Sequence, residues 1–154
     1  EAKALALKSA QRSIILLKND GMLPLSLGSK PQTIAVIGPS ANVARLGGYY
    51  GQPPVTVPIL EGIKTKVGTR ANVIFAQGVK ITEDDDWWAD EVKLADPAAN
   101  RKLIAEAVTA ARGADQIILI MDRSQSMSED RSNFGDVRTR LDWAKAGARA
   151  LAWA

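Results

Sequence analysis

The sequence predicts an α/β fold: a three-layer sandwich around a mostly parallel sheet, incomplete at its C-terminal end. Two observations carry this. Helical and strand-like segments alternate along the chain, helix, strand, helix, strand, helix, strand. The strand-like segments are short consecutive apolar runs bounded by turn residues, the pattern of strands buried on both faces.

Each element has its own justification. Residues 2–18, AKALALKSAQRSIILLK, are rich in Ala and Leu and predict a helix, stopped by NDG with Gly21 as its C-terminal cap. A connector with Pro24 and Pro31 follows. TIAVIGP, 33–39, is a β-branched run closed by Gly-Pro and predicts the first strand. VPILEGIKTKVG, 57–68, predicts a short helix ended by Gly68, and ANVIFAQG, 71–78, the second strand. After a long polar loop, residues 96–113 form the clearest helix. Asp96 suits the N-cap, Pro97 the first helical position and Gly113 the C-terminal cap. Leu103, Ile104, Ala107, Val108 and Ala111 make one apolar stripe on it. ADQIILIM then supplies the third strand. Parallel pairing is expected among 33–38, 73–76 and 117–121.

In such sheets ligands sit beyond the carboxyl ends of the strands. Three segments occupy that edge: GPSANVARLGGYYG, GVKITEDDDWW and DRSQSMSEDRSNFGD. The third sets Glu129 among small polar residues directly after a buried strand. It suits a general acid/base, or simply a solvated loop carboxylate. The first sets Tyr49 and Tyr50 between glycines, where they suit stacking on a sugar or packing under their own loop. The second clusters carboxylates, but its spacing matches no EF-hand loop, and Trp87 or Trp88 reads as a loop anchor. VIGPSAN lacks the second glycine of a dinucleotide-binding turn, and Pro39 removes an N–H that a phosphate would use.

Composition narrows the chemistry. The 154 residues suffice for one domain, with 46% hydrophobic and 24% charged residues. Cysteine and histidine are both absent, so disulfides and sites built on thiolate or imidazole ligands are excluded. No metal site or cofactor is expected. Any acid–base chemistry must use carboxylates, Lys or Tyr. The net charge of +3 lies in residues 131–154, which hold five Arg or Lys against two Asp. That tail has no aromatic interleaving beyond Phe134, Trp143 and Trp153, and no nucleic-acid partner is expected. No apolar run approaches the ~18 residues of a membrane span, so no membrane partner is expected. The chain opens inside a helical pattern, and its natural start is expected upstream.

Several segments together resemble glycoside hydrolase family 3, in the C-terminal α/β sandwich domain of its bacterial β-glucosidase and β-xylosidase type. They are SIILLKNDGMLPL (13–25), TIAVIGPSAN (33–42), LGGYYGQPP (46–54), LEGIKTKVG (60–68), QGVKITEDDDWW (77–88) and DPAANRKLIAEAV (96–108). The resemblance covers residues 1–122. Residues 123–154 form a divergent tail, so the expected unit is a partial domain over 1–154.

The resemblance implies exo-acting, retaining hydrolysis of terminal β-linked glucose or xylose. An N-terminal (β/α)8 barrel, absent here, would supply the nucleophilic Asp. The run from Asp122 to Glu129 keeps the interval at which the family places its acid/base Glu, which implies that role for Glu129. The GGYYG loop implies Tyr49 or Tyr50 as a wall of the sugar subsite. The implied partners are that barrel and a β-linked oligosaccharide or aryl glycoside. The isolated fragment is expected to be inactive. The location is unknown from these residues, and the family resemblance is compatible with a periplasmic or secreted one. The competing readings are a non-catalytic carbohydrate-binding or interaction module, and a degenerate remnant.

Overall fold

The structure is a computed structural model that describes residues 1–44, 46, 51, 53–84 and 91–121. Its element order is α1 (Ala2–Ser13), β1 (Gln32–Ile37), α2 (Ile59–Val67), a 3-10 turn (Gly68–Arg70), β2 (Ala71–Ala76), α3 (Pro97–Arg112) and β3 (Gln116–Leu119). The strands form one parallel sheet in the order β2-β1-β3. Among the described residues no helix is long and apolar enough to cross a membrane.

The central strand β1 is central because its sequence tolerates no solvent on either face. Ile34, Ala35, Val36 and Ile37 are all buried. Alternate residues feed two cores, as the two-residue period of a strand requires. Ile34 and Val36 face α2 and pack with Leu60, Ala41 and the partly buried Ile63 and Val67. Ala35 and Ile37 face α3 and pack with Ala107 and Ala111. The helices therefore lie on opposite faces, and the three layers expected from the alternation are present.

The apolar stripe of α3 docks as the sequence predicts, with small residues where the helix comes nearest to the sheet. Ala107 and Ala111 are buried, and Leu103, Ile104 and Val108 are partly buried around them. The Asp96 carboxylate caps the helix by accepting from Ala98 N and Ala99 N, each at 3.1 Å. Those two bonds hold its pKa below the ordinary value of 3.8. A carboxyl depressed in the folded state adds stability at pH values above its unfolded pKa. That stability is lost as pH falls through the folded value. Asp96→Ala should therefore lower the unfolding midpoint at neutral pH, and its deficit should shrink below pH 3.8. Urea titrations of both proteins across that range check this.

The first helix departs from expectation. α1 ends at Ser13, and Ile14 is already extended with φ −78° and ψ 125°. The Ser13 hydroxyl donates to Ala10 O at 2.8 Å, a local bond that competes with helix continuation. No residue of α1 is buried, so no packing among the described residues extends it against the β-branched pair Ile14-Ile15. Gly21 does have positive φ, 91°, but in a later turn rather than a helix cap. There Asn19 Oδ1 accepts from Gly21 N and Leu23 N, and Asn19 Nδ2 donates to Leu23 O.

Candidate functional site

The three strand ends are stitched together at Ile37 and Gly38. Gly38 N donates to Ala76 O at the end of β2, 3.1 Å away. Ile120 N, just past β3, donates to Ile37 O at 2.7 Å. Adjacent strands lie about 4.8 Å apart, so the segments leaving the three strands start within roughly 10 Å of one another. These are the segments that carry Tyr49 and Tyr50, the carboxylate cluster, and Glu129.

Gly38 makes this convergence possible. Its φ is 141°, and an added Cβ would stand 2.0 Å from Ile120 O and 2.9 Å from Ile120 C. No side chain fits there. The backbone of β1 thus approaches the point at which the chain leaves β3. The same geometry removes an anion cradle. The N–H groups of Gly38 and Ala41 are engaged, with Ala76 O and Gly38 O, and Pro39 has none.

The segment after β1 is tied down at its base. Ala41 is buried, and Ala41 O accepts from Leu60 N at the start of α2. The segment after β2 has a defined root. Glu83 N donates to Lys93 O at 2.9 Å and Ala95 N to Ile81 O at 3.2 Å, around an antiparallel bridge between Thr82 and Leu94.

Asn100 fixes that root to α3, a role the sequence reading missed. It is only 3% exposed, and it clamps one residue from both sides. Lys80 N donates to Asn100 Oδ1 at 2.7 Å, and Asn100 Nδ2 donates to Lys80 O at 2.9 Å. An Asn inside an otherwise Ala-rich helix is the signal that could have found it, because Asn is a poor helix residue without a partner. Asn100→Ala should cost about 1–3 kcal/mol, since both Lys80 backbone groups lose their partner. Hydrogen exchange should speed up at Lys80 and stay slow at Ile34–Ile37.

The predicted site residues Glu129, Tyr49 and Tyr50 lie outside the described residues, as do Trp87 and Trp88. The structure gives the points from which their segments depart.

The matching family model is the glycosyl hydrolase family 3 C-terminal domain, over residues 14–152. The chain belongs to glycoside hydrolase family 3. It is 33% identical over 146 residues to a β-xylosidase of Formosa agariphila, covering 89% of this chain and 18% of that protein. It is 36% identical over 135 residues to the periplasmic β-glucosidase of Salmonella typhimurium, covering 80% and 17%. Among solved structures, a β-glucosidase from Erythrobacter marinus superposes with a TM-score of 0.74 at 34% identity, over 96% of this chain and 22% of that one. A family 3 exo-β-xylosidase, solved with a xylobiose aziridine probe, superposes with a TM-score of 0.61 at 29% identity, over 96% and 17%. The family 3 chain therefore spans less than a fifth of the length of these curated relatives.

Proposed function

We propose that this chain is the acid/base-supplying part of an exo-acting, retaining β-glycosidase that removes terminal β-linked glucose or xylose. The observation that carries the proposal is the stitched carboxyl edge of the sheet in a family 3 chain. The segment leading to Glu129 starts there, beside the segment that holds Tyr49 and Tyr50. Glu129 stands eight residues beyond Met121, a stretch that reaches at most about 28 Å. That is enough to carry a carboxyl from the sheet edge to a site shared with a second domain.

In the proposed reaction Glu129 protonates the glycosidic oxygen while an Asp of the barrel attacks the anomeric carbon. The leaving group departs with that proton, and a glycosyl ester remains on the Asp. Glu129, now a carboxylate, takes a proton from water, which opens the ester with net retention. The two carboxyls of such an enzyme stand about 5–5.5 Å apart. Tyr49 or Tyr50 would form a wall of the sugar subsite, an apolar ring face against the sugar C–H groups. The domain assignment follows the same reading: residues 1–154 as a partial C-terminal domain, with 123–154 as its divergent tail.

One carboxylate cannot complete a double displacement. The chain alone should give no turnover of nitrophenyl β-glucoside or β-xyloside. Fused to a family 3 barrel, it should hydrolyse one of them with retention. Turnover that tracks with the purified chain alone, and is lost in Glu129→Gln, would overturn the division of labour.

A further inference from the structure

Asp20 is followed by Gly21, and no other Asp or Asn of the sequence precedes a glycine. The pairing has a chemical consequence. The main-chain nitrogen of the next residue can attack a side-chain carboxyl and close a succinimide ring, and a side chain on that residue obstructs the approach. Here the approach is open. Gly21 has a φ of 91°, and a Cβ there would meet nothing within 4 Å. Every residue up to Pro24 is exposed, so this turn can distort without disturbing the core.

The surroundings of Asp20 set it apart from the other amide and carboxyl groups. Its neighbour Asn19 is held by three hydrogen bonds. Asn19 Oδ1 accepts from Gly21 N at 3.2 Å and Leu23 N at 3.0 Å, and Asn19 Nδ2 donates to Leu23 O at 2.8 Å. A carboxamide so engaged is not free to fold back onto the Asp20 nitrogen. Among the described residues the Asp20 carboxylate meets only Lys18 Nζ, at 2.8 Å, and both side chains are more than three-quarters exposed. Such a pair restrains little. By contrast Asp115 Oδ2 accepts from Thr33 N at 2.8 Å, and its next residue lies in β3. Asp96 is followed by Pro97, which has no N–H to lose.

We propose that Asp20 is a modification site, the residue at which this chain isomerises spontaneously to isoaspartate. Gly21 N bonds to Asp20 Cγ and gives up its proton, the carboxyl gives up an oxygen, and one water leaves. A water then adds to the ring. Opening at Cγ restores aspartate. Opening at the main-chain carbonyl leaves the chain running through Cγ, longer by one carbon, with the former main-chain carboxyl as the new side group. Water is the only co-reactant, and mass is unchanged. The bond from Gly21 N to Asn19 Oδ1 must break before the attack, so Asn19 restrains the reaction of its neighbour. The added carbon separates Asn19 from Gly21 and Leu23 and undoes the turn that they share. The core is untouched, because none of its buried residues precedes Ile34.

The test ages the full chain at neutral pH and physiological temperature and maps its peptides. Trypsin cuts after Lys18 and Arg45 but not after Lys30, which precedes Pro31, so the site falls in peptide 19–45. That peptide should divide with time into two chromatographic peaks of equal mass. The new peak should accept methyl groups from S-adenosylmethionine on an isoaspartyl methyltransferase, and fragmentation should place the change at Asp20. Gly21→Ala should slow its growth roughly tenfold, since the methyl obstructs the attacking nitrogen. Asn19→Ala, which frees that nitrogen, should speed it severalfold. Both substitutions lie in an exposed turn, and the urea midpoint of each should stay within reach of the parent's. Isoaspartate forming no faster at Asp20 than at the other Asp residues would overturn the proposal. So would an earlier change at Asn19, marked by the mass gain of deamidation, or a rate indifferent to Gly21→Ala. No step of the test depends on turnover, so its failure says nothing about Glu129.

Discussion

Gly38→Ala should be the most destabilising small substitution in the described fold. The new methyl would stand 2.0 Å from the carbonyl oxygen of Ile120, and the φ of 141° is closed to a side chain. The obstacle is backbone, which cannot rotate away as the end of a long side chain can. Strain at such a φ costs about 1–3 kcal/mol, and forced overpacking about 1–3 kcal/mol more. Together these approach the whole stability of a marginal domain, about 5–15 kcal/mol. The methyl would also push the end of β3 from β1 and break the Ile120 N to Ile37 O bond. Gly62→Ala is the control. It lies inside α2, and its Cβ would meet nothing within 4 Å. That exchange should stabilise by about 0.5–1 kcal/mol, because glycine weakens a helix interior. Urea unfolding of the two variants should move in opposite directions. Similar midpoints would mean that the Gly38 to Ile120 approach contributes nothing to stability.

How much of this could be read from the sequence depends on where the deciding contacts lie. The strand β1 was legible because burial on both faces leaves a run with no polar residue, Ile34 to Ile37. The start of α3 was legible because capping is local: Asp96 bonds to residues two and three positions on. The end of α1 was not. Propensity favours helix through Lys18, and the opposing fact, that no residue of α1 is buried, is tertiary. Asn100 was missed for the same reason, because its partner Lys80 lies twenty residues away. The glycine at 38 was read as a strand terminator. Its stricter duty, letting two backbones meet at Ile120, appears only once β3 is placed beside β1. The candidate site was legible as three segments at one sheet edge, since alternation alone fixes which ends of parallel strands coincide. The catalytic partner of Glu129 was not, because under the proposed function it belongs to another domain.

Under the proposed function, with this chain joined to a family 3 barrel, Glu129→Ala should slow turnover of poor leaving groups by about 10²–10⁴-fold, the usual worth of general acid–base help. The loss should be graded. Natural disaccharides leave as alkoxides unless protonated, so their bond cleavage depends on the acid. A dinitrophenyl glycoside leaves without a proton, so its first step should be nearly unaffected. Its second step still lacks the base that activates water, and the glycosyl ester on the Asp should accumulate as a burst followed by slow release. Azide needs no deprotonation to attack. It should restore turnover of the activated substrate and yield a β-glycosyl azide, since a second inversion at the anomeric carbon retains configuration. The variant should also lose the alkaline limb of kcat/KM, which reports the acid of the free enzyme. Removing a subsite wall should behave differently: Tyr49→Ala or Tyr50→Ala should raise KM for good and poor leaving groups alike and show no azide effect. If Glu129→Ala instead loses rate equally on all substrates and azide changes nothing, Glu129 is an ordinary loop carboxylate. The acid must then be sought among the other carboxylates whose segments leave the Ile37–Gly38 junction.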